Sequence, residues 1–178
     1  MVKRWLALAL AVVIVTVGLI GRSPMSDAVD GVQPRAVLPM VARDAGGLKF
    51  VSVSAGFDHT CGIVAGGTVR CWGSNDYGQA SPPSGTFVSV SAGRMHTCGV
   101  RTNQSLACWG ATGYGMSNPP AGSFVNVSAG ADHACGVRSD HTVTCWGSDA
   151  SHQLDAPPGT FVSVSAAMSQ SCGLSTDQ

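Results

Sequence analysis

FVSVSAGFDHTCGIVAGGTVRCWGSNDYGQASPPSGT, residues 50–86, decides the fold, because the chain goes on to repeat it. Residues 87–123 read FVSVSAGRMHTCGVRTNQSLACWGATGYGMSNPPAGS, and residues 124–160 read FVNVSAGADHACGVRSDHTVTCWGSDASHQLDAPPGT. A shorter fourth copy, FVSVSAAMSQSCGLSTDQ, occupies residues 161–178. Phe50, Phe87, Phe124 and Phe161 mark a period of 37 residues, as do Cys61, Cys98, Cys135 and Cys172. Self-similarity at this length denotes one supersecondary unit stacked on copies of itself. No single copy can bury its apolar surface alone, so neighbouring copies must share a core.

Within one copy the strand pattern is direct. In FVSVS, Val51 and Val53 alternate with Ser52 and Ser54, the period-2 pattern of a half-buried strand. HTCGIV forms a second strand and TVRCWG a third, and SNDYGQAS is read as a weak edge strand. Pro82-Pro83-Ser84-Gly85 closes the unit, since proline cannot donate to a ladder and glycine permits the turn. No 3.6-residue periodicity follows residue 21. With Gly66 at the centre of a three-residue hairpin loop, Val64 faces Thr68 and Cys61 faces Cys71. Opposed residues in a non-hydrogen-bonded antiparallel pair have Cα atoms about 4.5 Å apart, within the roughly 4.4–6.8 Å that a disulfide accepts. Asn103 and Asp140 centre the next two loops. The register therefore predicts three disulfides: Cys61–Cys71, Cys98–Cys108 and Cys135–Cys145. It also puts Trp72 on the face opposite Cys71, repeated at Trp109 and Trp146. Short antiparallel strands that are apolar on both faces suit blades packed between blades. The expected fold is all-β, a partial, open β-propeller of about three and a half blades preceded by an N-terminal apolar helix.

The flanking sequence bears on compartment. Lys3 and Arg4 precede WLALALAVVIVTVGLIG, residues 5–21, which carries no charge. A basic start followed by an apolar run is the pattern of a secretory signal, and Ser26-Asp27-Ala28 offers small residues before a cleavage point. Residues 1–28 are read as a signal peptide or an uncleaved membrane anchor, 29–49 as a linker, and 50–178 as the repeats. Membrane contact is expected only through residues 5–21. All seven cysteines lie in the repeats, a usage that fits an oxidising, extracytoplasmic compartment. Residues 1–49 carry six Lys/Arg and three Asp, whereas residues 50–178 carry four Arg and seven Asp. A mildly acidic repeat region is ill-suited to phosphate binding, which argues against nucleic acid as a partner.

The pattern VSAGxxHTCGV…TVxCWG…GQ…PPxGTF resembles the regulator of chromosome condensation repeat, in the cysteine-bearing form of exported bacterial proteins. The resemblance covers residues 50–178. It implies a β-propeller, commonly seven-bladed, that acts mainly by binding proteins. Roles in the family include exchange-factor activity on a small GTPase and inhibition of β-lactamases by secreted members. Seven such blades would need about 259 residues, and this sequence stops at Gln178, at a hairpin tip, with Cys172 unmatched. A truncated reading frame or a piece of a longer propeller is the expectation. Residues 1–49 hold neither a cysteine nor a copy of TVxCWG, so they offer no simple closure. Two copies of the chain would bring the same half-unit twice.

Positions that repeat are scaffold, and positions that change are free to meet a ligand. After the first strand the variable pairs are Phe57-Asp58, Arg94-Met95, Ala131-Asp132 and Met168-Ser169. After the third strand, Tyr77 and Tyr114 stand in variable loops. Aromatic residues, Met and Arg in surface loops are common interface anchors, so these positions are the expected partner-binding rim for a protein. His59, Cys61 and Cys71 could converge on zinc, but paired cysteines in an exported chain favour oxidation. Neither a metal nor another cofactor is expected. With no Glu, no G-x-S-x-G elbow and no suitably spaced Asp pair, no catalytic residue is expected either. The resulting expectation is an exported protein-binding module without catalytic activity. The alternatives are an envelope-anchored spacer and a non-functional fragment of a seven-bladed propeller.

Overall fold

The structure is a computed structural model that describes residues 48–177. The apolar run at 5–21 and its expected helix, the cleavage point and nearly all of the linker lie outside the described residues. Each complete repeat folds into a three-stranded antiparallel sheet in chain order. The first holds β1 (Phe50–Ala55), β2 (His59–Val64) and β3 (Val69–Gly73). The second holds β4 (Phe87–Ala92), β5 (His96–Arg101) and β6 (Leu106–Gly110). The third holds β7 (Phe124–Ala129), β8 (His133–Arg138) and β9 (Val143–Gly147). The fourth repeat supplies a two-stranded sheet, β10 (Phe161–Ala166) and β11 (Ser171–Ser175). This is a partial all-β propeller of three blades and part of a fourth.

The hairpin register follows the cysteines. Cys61 pairs with Cys71, Cys98 with Cys108 and Cys135 with Cys145 across their strands. All three pairs are disulfide-bonded, with Cα atoms 4.1, 4.1 and 4.0 Å apart. The loop between β2 and β3 is the three-residue type. Gly67 N donates to Val64 O, and Val64 N donates to Thr68 O. Its last residue must take positive φ, which Gly67 does at 86°, Gln104 at 67° and His141 at 71°. The carbonyl of that residue then accepts from the next blade's first residue, at 2.8 Å in Gly67–Phe87, Gln104–Phe124 and His141–Phe161. The turn that sets the register therefore also ties one blade to the next.

The core lies at the seams between blades. Cys61, Ile63 and Val69 of the first blade pack against Phe87, Val90 and Trp109 of the second. Cys98 and Val100 of the second pack against Phe124, Val127, Ala134 and Trp146 across the next seam. Burying one such Phe contributes on the order of 1.5–3 kcal/mol. Gly62, Gly99 and Gly136 let this happen: a Cβ on any of them would fall within 2.8 Å of the Phe ring packed against it.

Two expectations need correction. Residues 74–81, read as a weak edge strand, form a turn-rich segment with no strand in it. Asn75 closes it locally, its Oδ1 accepting from Ala80 N at 2.9 Å, so the backbone groups turn inward and do not extend a ladder. The simple alternation in FVSVS is also broken, because the register shifts between Phe50 and Ser52 and at the same place in every repeat. That bulge leaves Val51, Val88, Val125 and Val162 exposed. Val90 and Val127, two residues further on, are buried against the preceding blade.

Candidate functional site

The variable pairs occupy the turn between the first and second strands of each blade, and backbone hydrogen bonds link these turns in series. Phe57 N donates to Gly93 O, Arg94 N to Gly130 O and Ala131 N to Ala167 O, at 3.1, 3.1 and 3.0 Å. The segment leaving the third strand is fastened to the same turn. Ser74 N donates to Asp58 O, Ala111 N to Met95 O and Ser148 N to Asp132 O, each at 2.8 Å. Both sets of variable positions therefore lie at one end of the blades. Phe57, Tyr114 and Met168 are 74%, 75% and 78% exposed there. Tyr77 and Arg94 are also exposed, whereas Asp58, Met95, Ala131 and Asp132 are half-buried. One Arg stands between two Asp along the series, so the rim carries charge of both signs beside its apolar side chains.

Directly behind each of the first three pairs sits a buried histidine, and two of the three, His59 and His133, anchor the rim to the next blade. His59 Nε2 lies 2.7 Å from Thr97 Oγ1. Thr97 Oγ1 donates to Gln79 O at 3.1 Å, and Trp109 Nε1 donates to the same carbonyl at 2.9 Å. Because the threonine hydroxyl gives its proton to the carbonyl, His59 must donate through Nε2–H. His133 repeats the arrangement with Ser171 Oγ at 2.9 Å. His96 does not: Ala134 occupies the position of Thr97 and Ser171, and neither nitrogen of His96 has a hydrogen-bond partner among the described residues. Burial lowers the pKa of all three rings. Asp58 and Asp132 partly oppose this at His59 and His133. His96 has Met95 in place of that Asp, and burial together with repulsion from His133 and His59 takes it down to about 4.

These contacts also dispose of the zinc reading, since Cys61 and Cys71 are joined to each other and His59 is committed to Thr97. Asp149, His152 and Asp155 do bring three metal-type side chains together, all exposed. Asp149 Oδ1, however, accepts from Leu154 N as Asn75 Oδ1 accepts from Ala80 N, which makes it part of a turn.

One positioning residue was missed by the sequence reading. Gln79 is buried, its Oε1 accepts from Tyr77 N at 2.9 Å, and its Nε2 donates to Ser74 Oγ at 3.0 Å. It thereby fixes the loop that presents Tyr77. The signal was its recurrence as Gln153, whose Oε1 accepts from Ser151 N at 2.7 Å.

Residues 50–79 and 124–153 match the regulator of chromosome condensation (RCC1) repeat. No curated protein sequence matches the chain. Among solved structures, the ectodomain of the Physcomitrella patens receptor kinase CR4 is similar at 31% identity and a TM-score of 0.67, over 76% of this chain and 40% of that one. The CRINKLY WD40 ectodomain of the Arabidopsis thaliana receptor kinase ACR4 is similar at 30% identity and a TM-score of 0.60, over 73% and 46%. Prp20p of Saccharomyces cerevisiae, studied for its binding to Gsp1p and histones, shares the fold at 14% identity and a TM-score of 0.62, over 72% and 44%. The chain thus spans less than half the length of each of these proteins. The matches to the RCC1 repeat fall on the first and third copies of the 37-residue unit, and residues 87–123 and 161–178 repeat the same sequence pattern.

Proposed function

We propose that this chain is an exported module that binds a protein partner through the rim of variable turns, without catalytic activity of its own. The observation that carries this reading is the alignment of Phe57, Arg94 and Met168 along one hydrogen-bonded series of turns, with Tyr77 and Tyr114 at the same end. Large exposed apolar and aromatic groups flanked by charge are what a protein interface uses as anchors. Export is supported by three disulfides, which persist in oxidising compartments, and by the basic-then-apolar start of the sequence. Similarity to the receptor-kinase ectodomains agrees with an extracellular setting, and the binding of Gsp1p and histones by Prp20p agrees with a protein ligand.

The test is affinity capture from the native extracellular milieu with the wild-type chain and with a triple variant, Phe57→Ala, Arg94→Ala and Met168→Ala. These side chains lie outside the core, so folding should survive. A saturable partner held by the wild type and lost by the variant is the expected result. A partner held equally by both would move the site off the rim. Absence of any saturable partner would favour the envelope-anchored spacer, which retention of residues 5–21 in the mature protein would support.

A further inference from the structure

We infer that the partner this rim takes is cationic: a protein segment whose Lys or Arg side chains lie over the exposed rings of Phe57, Tyr77 and Tyr114, drawn there by neighbouring carboxylates. The inference rests on the reading of the rim as the partner-binding surface and names the chemistry of what it holds. Charge is divided unevenly between the two ends of the blades. Residues 50–178 carry seven Asp and four Arg. Five of the Asp, at 58, 76, 132, 149 and 155, fall in the turns after the first and third strands, which form the rim end. Of the four Arg, only Arg94 falls there.

The remaining Arg residues belong to the hairpins whose loops lie at the opposite end, and two of them are committed to the scaffold. Arg101 Nη1 donates to Ser84 O at 2.8 Å, and its guanidinium lies 4.9 Å from the centroid of the Phe87 ring. Arg138 repeats the arrangement, donating to Ala121 O at 3.3 Å and lying 4.8 Å from the Phe124 centroid. Cations therefore fasten the scaffold at one end, while carboxylates gather at the other. Among these, Asp149 accepts from Leu154 N and Asp155 lies 3.3 Å from His152, yet both remain exposed, as does Asp76. A surface of this sign repels nucleic acid and anionic lipid and attracts Lys and Arg.

The exposed rings complete the site. Phe57 is followed by Asp58 and Tyr77 is preceded by Asp76, so two of the three rings stand next to a carboxylate in the chain. An open ring face attracts a cation through its quadrupole, and the adjacent carboxylate adds a counter-charge. Tyr114 points to the same use through its backbone. Its φ is 54°, in the left-handed region that a bulky side chain occupies only at a cost. Tyr77, at the same position of the first repeat, does not adopt it. Tyr114 is nevertheless solvent-exposed, so burial in the blade does not account for its conformation. Presentation of the ring to a partner does.

The probe is a phage library of random dodecapeptides, selected on the immobilised, oxidised full chain and then sequenced. The expected result is a set of binders enriched at least about twofold in Lys and Arg over the unselected library. A triple variant, Asp76→Asn, Asp132→Asn and Asp149→Asn, should hold them at least about tenfold less tightly, and added salt should weaken the wild-type complex. Asparagine keeps the turn at 149, since Asn75 already accepts from Ala80 N where Asp149 accepts from Leu154 N. Tyr114→Gly should weaken the same binders at least about fivefold without lowering the urea midpoint, because glycine takes positive φ freely. Basic binders that the Asp→Asn variant holds as well as the wild type does would overturn the proposal. Binders with no excess of Lys or Arg, lost by the Phe57→Ala, Arg94→Ala and Met168→Ala variant but kept by the Asp→Asn one, would overturn it and leave the rim reading in place. Binders indifferent to both variants, or no binders at all, would overturn both.

Discussion

At the scale of single residues, the seams show what one hydroxyl does. His59 and His133 meet a hydroxyl across the seam, whereas His96 has no hydrogen-bond partner among the described residues and the equivalent position holds Ala134, which has no hydroxyl. Ala134 is buried where Thr97 is buried in the preceding blade, so a threonine there has a tested shape and two acceptor or donor groups to reach. Ala134→Thr should raise stability by about 1 kcal/mol, and Thr97→Ala should lower it by about 1–3 kcal/mol by stranding His59. Urea midpoints at pH 7 would read both. His96 also sets a pH dependence. Its folded pKa, about 4, lies below the ordinary 6.5, so between these values the unfolded chain holds a proton that the folded chain refuses. The associated stability is present above pH 6.5 and is lost as pH falls towards 4, by about 3 kcal/mol at most. His96→Leu should flatten the fall in the urea midpoint between pH 7 and pH 5; an unchanged fall would show that the other seam histidines dominate. Only the Met95 beside His96, where His59 and His133 have an Asp, was visible in the sequence; the missing hydroxyl was not. The difference lies 38 residues away, at Ala134.

At the scale of the element, the hairpin was legible almost completely. Its two cysteines are ten apart, a three-residue loop centred on Gly66 sets them opposite, and side chains on a strand alternate with period two. The bulge near Phe50 was not legible, because it depends on how β1 must bend to place Phe50 over Gly62 while Val51 faces outward. The turn at 74–81 was misread because its polar alternation mimics a strand, while Asn75 and Gln79 satisfy the backbone locally. The disulfide tests the hairpin directly. A loop of this size should contribute about 2–3 kcal/mol by the chain-entropy relation. Replacing Cys98 and Cys108 together by Ala and Ser should lower the stability of the oxidised protein by that amount or somewhat more, since Cys98 also packs in the second seam. Reduction of the wild type should then erase most of the difference between the two proteins.

For the whole repeat array, stability is the sum of intrinsic blade terms and seam terms, and the seams hold the core. A blade that lacks a neighbour exposes the face a neighbour would cover. Val53 is 58% exposed on β1, while Val90 and Val127 at the same position are 8% and 6% exposed behind a preceding blade. Trp72 is likewise only half-buried, whereas Trp109 and Trp146 are buried. Exposed Val and an aromatic edge on a strand-rich flank promote self-association. Val53→Lys should therefore reduce concentration-dependent association in sedimentation velocity while leaving the thermal midpoint almost unchanged, because no seam among the described residues uses that side chain. The matched substitution Val90→Lys reverses both readouts. It places a charge inside the first seam, which costs several kcal/mol when unpaired, and should collapse the transition without changing the exposed flank. If Val53→Lys proved as damaging as Val90→Lys, the first blade would have to be covered by another surface of the protein.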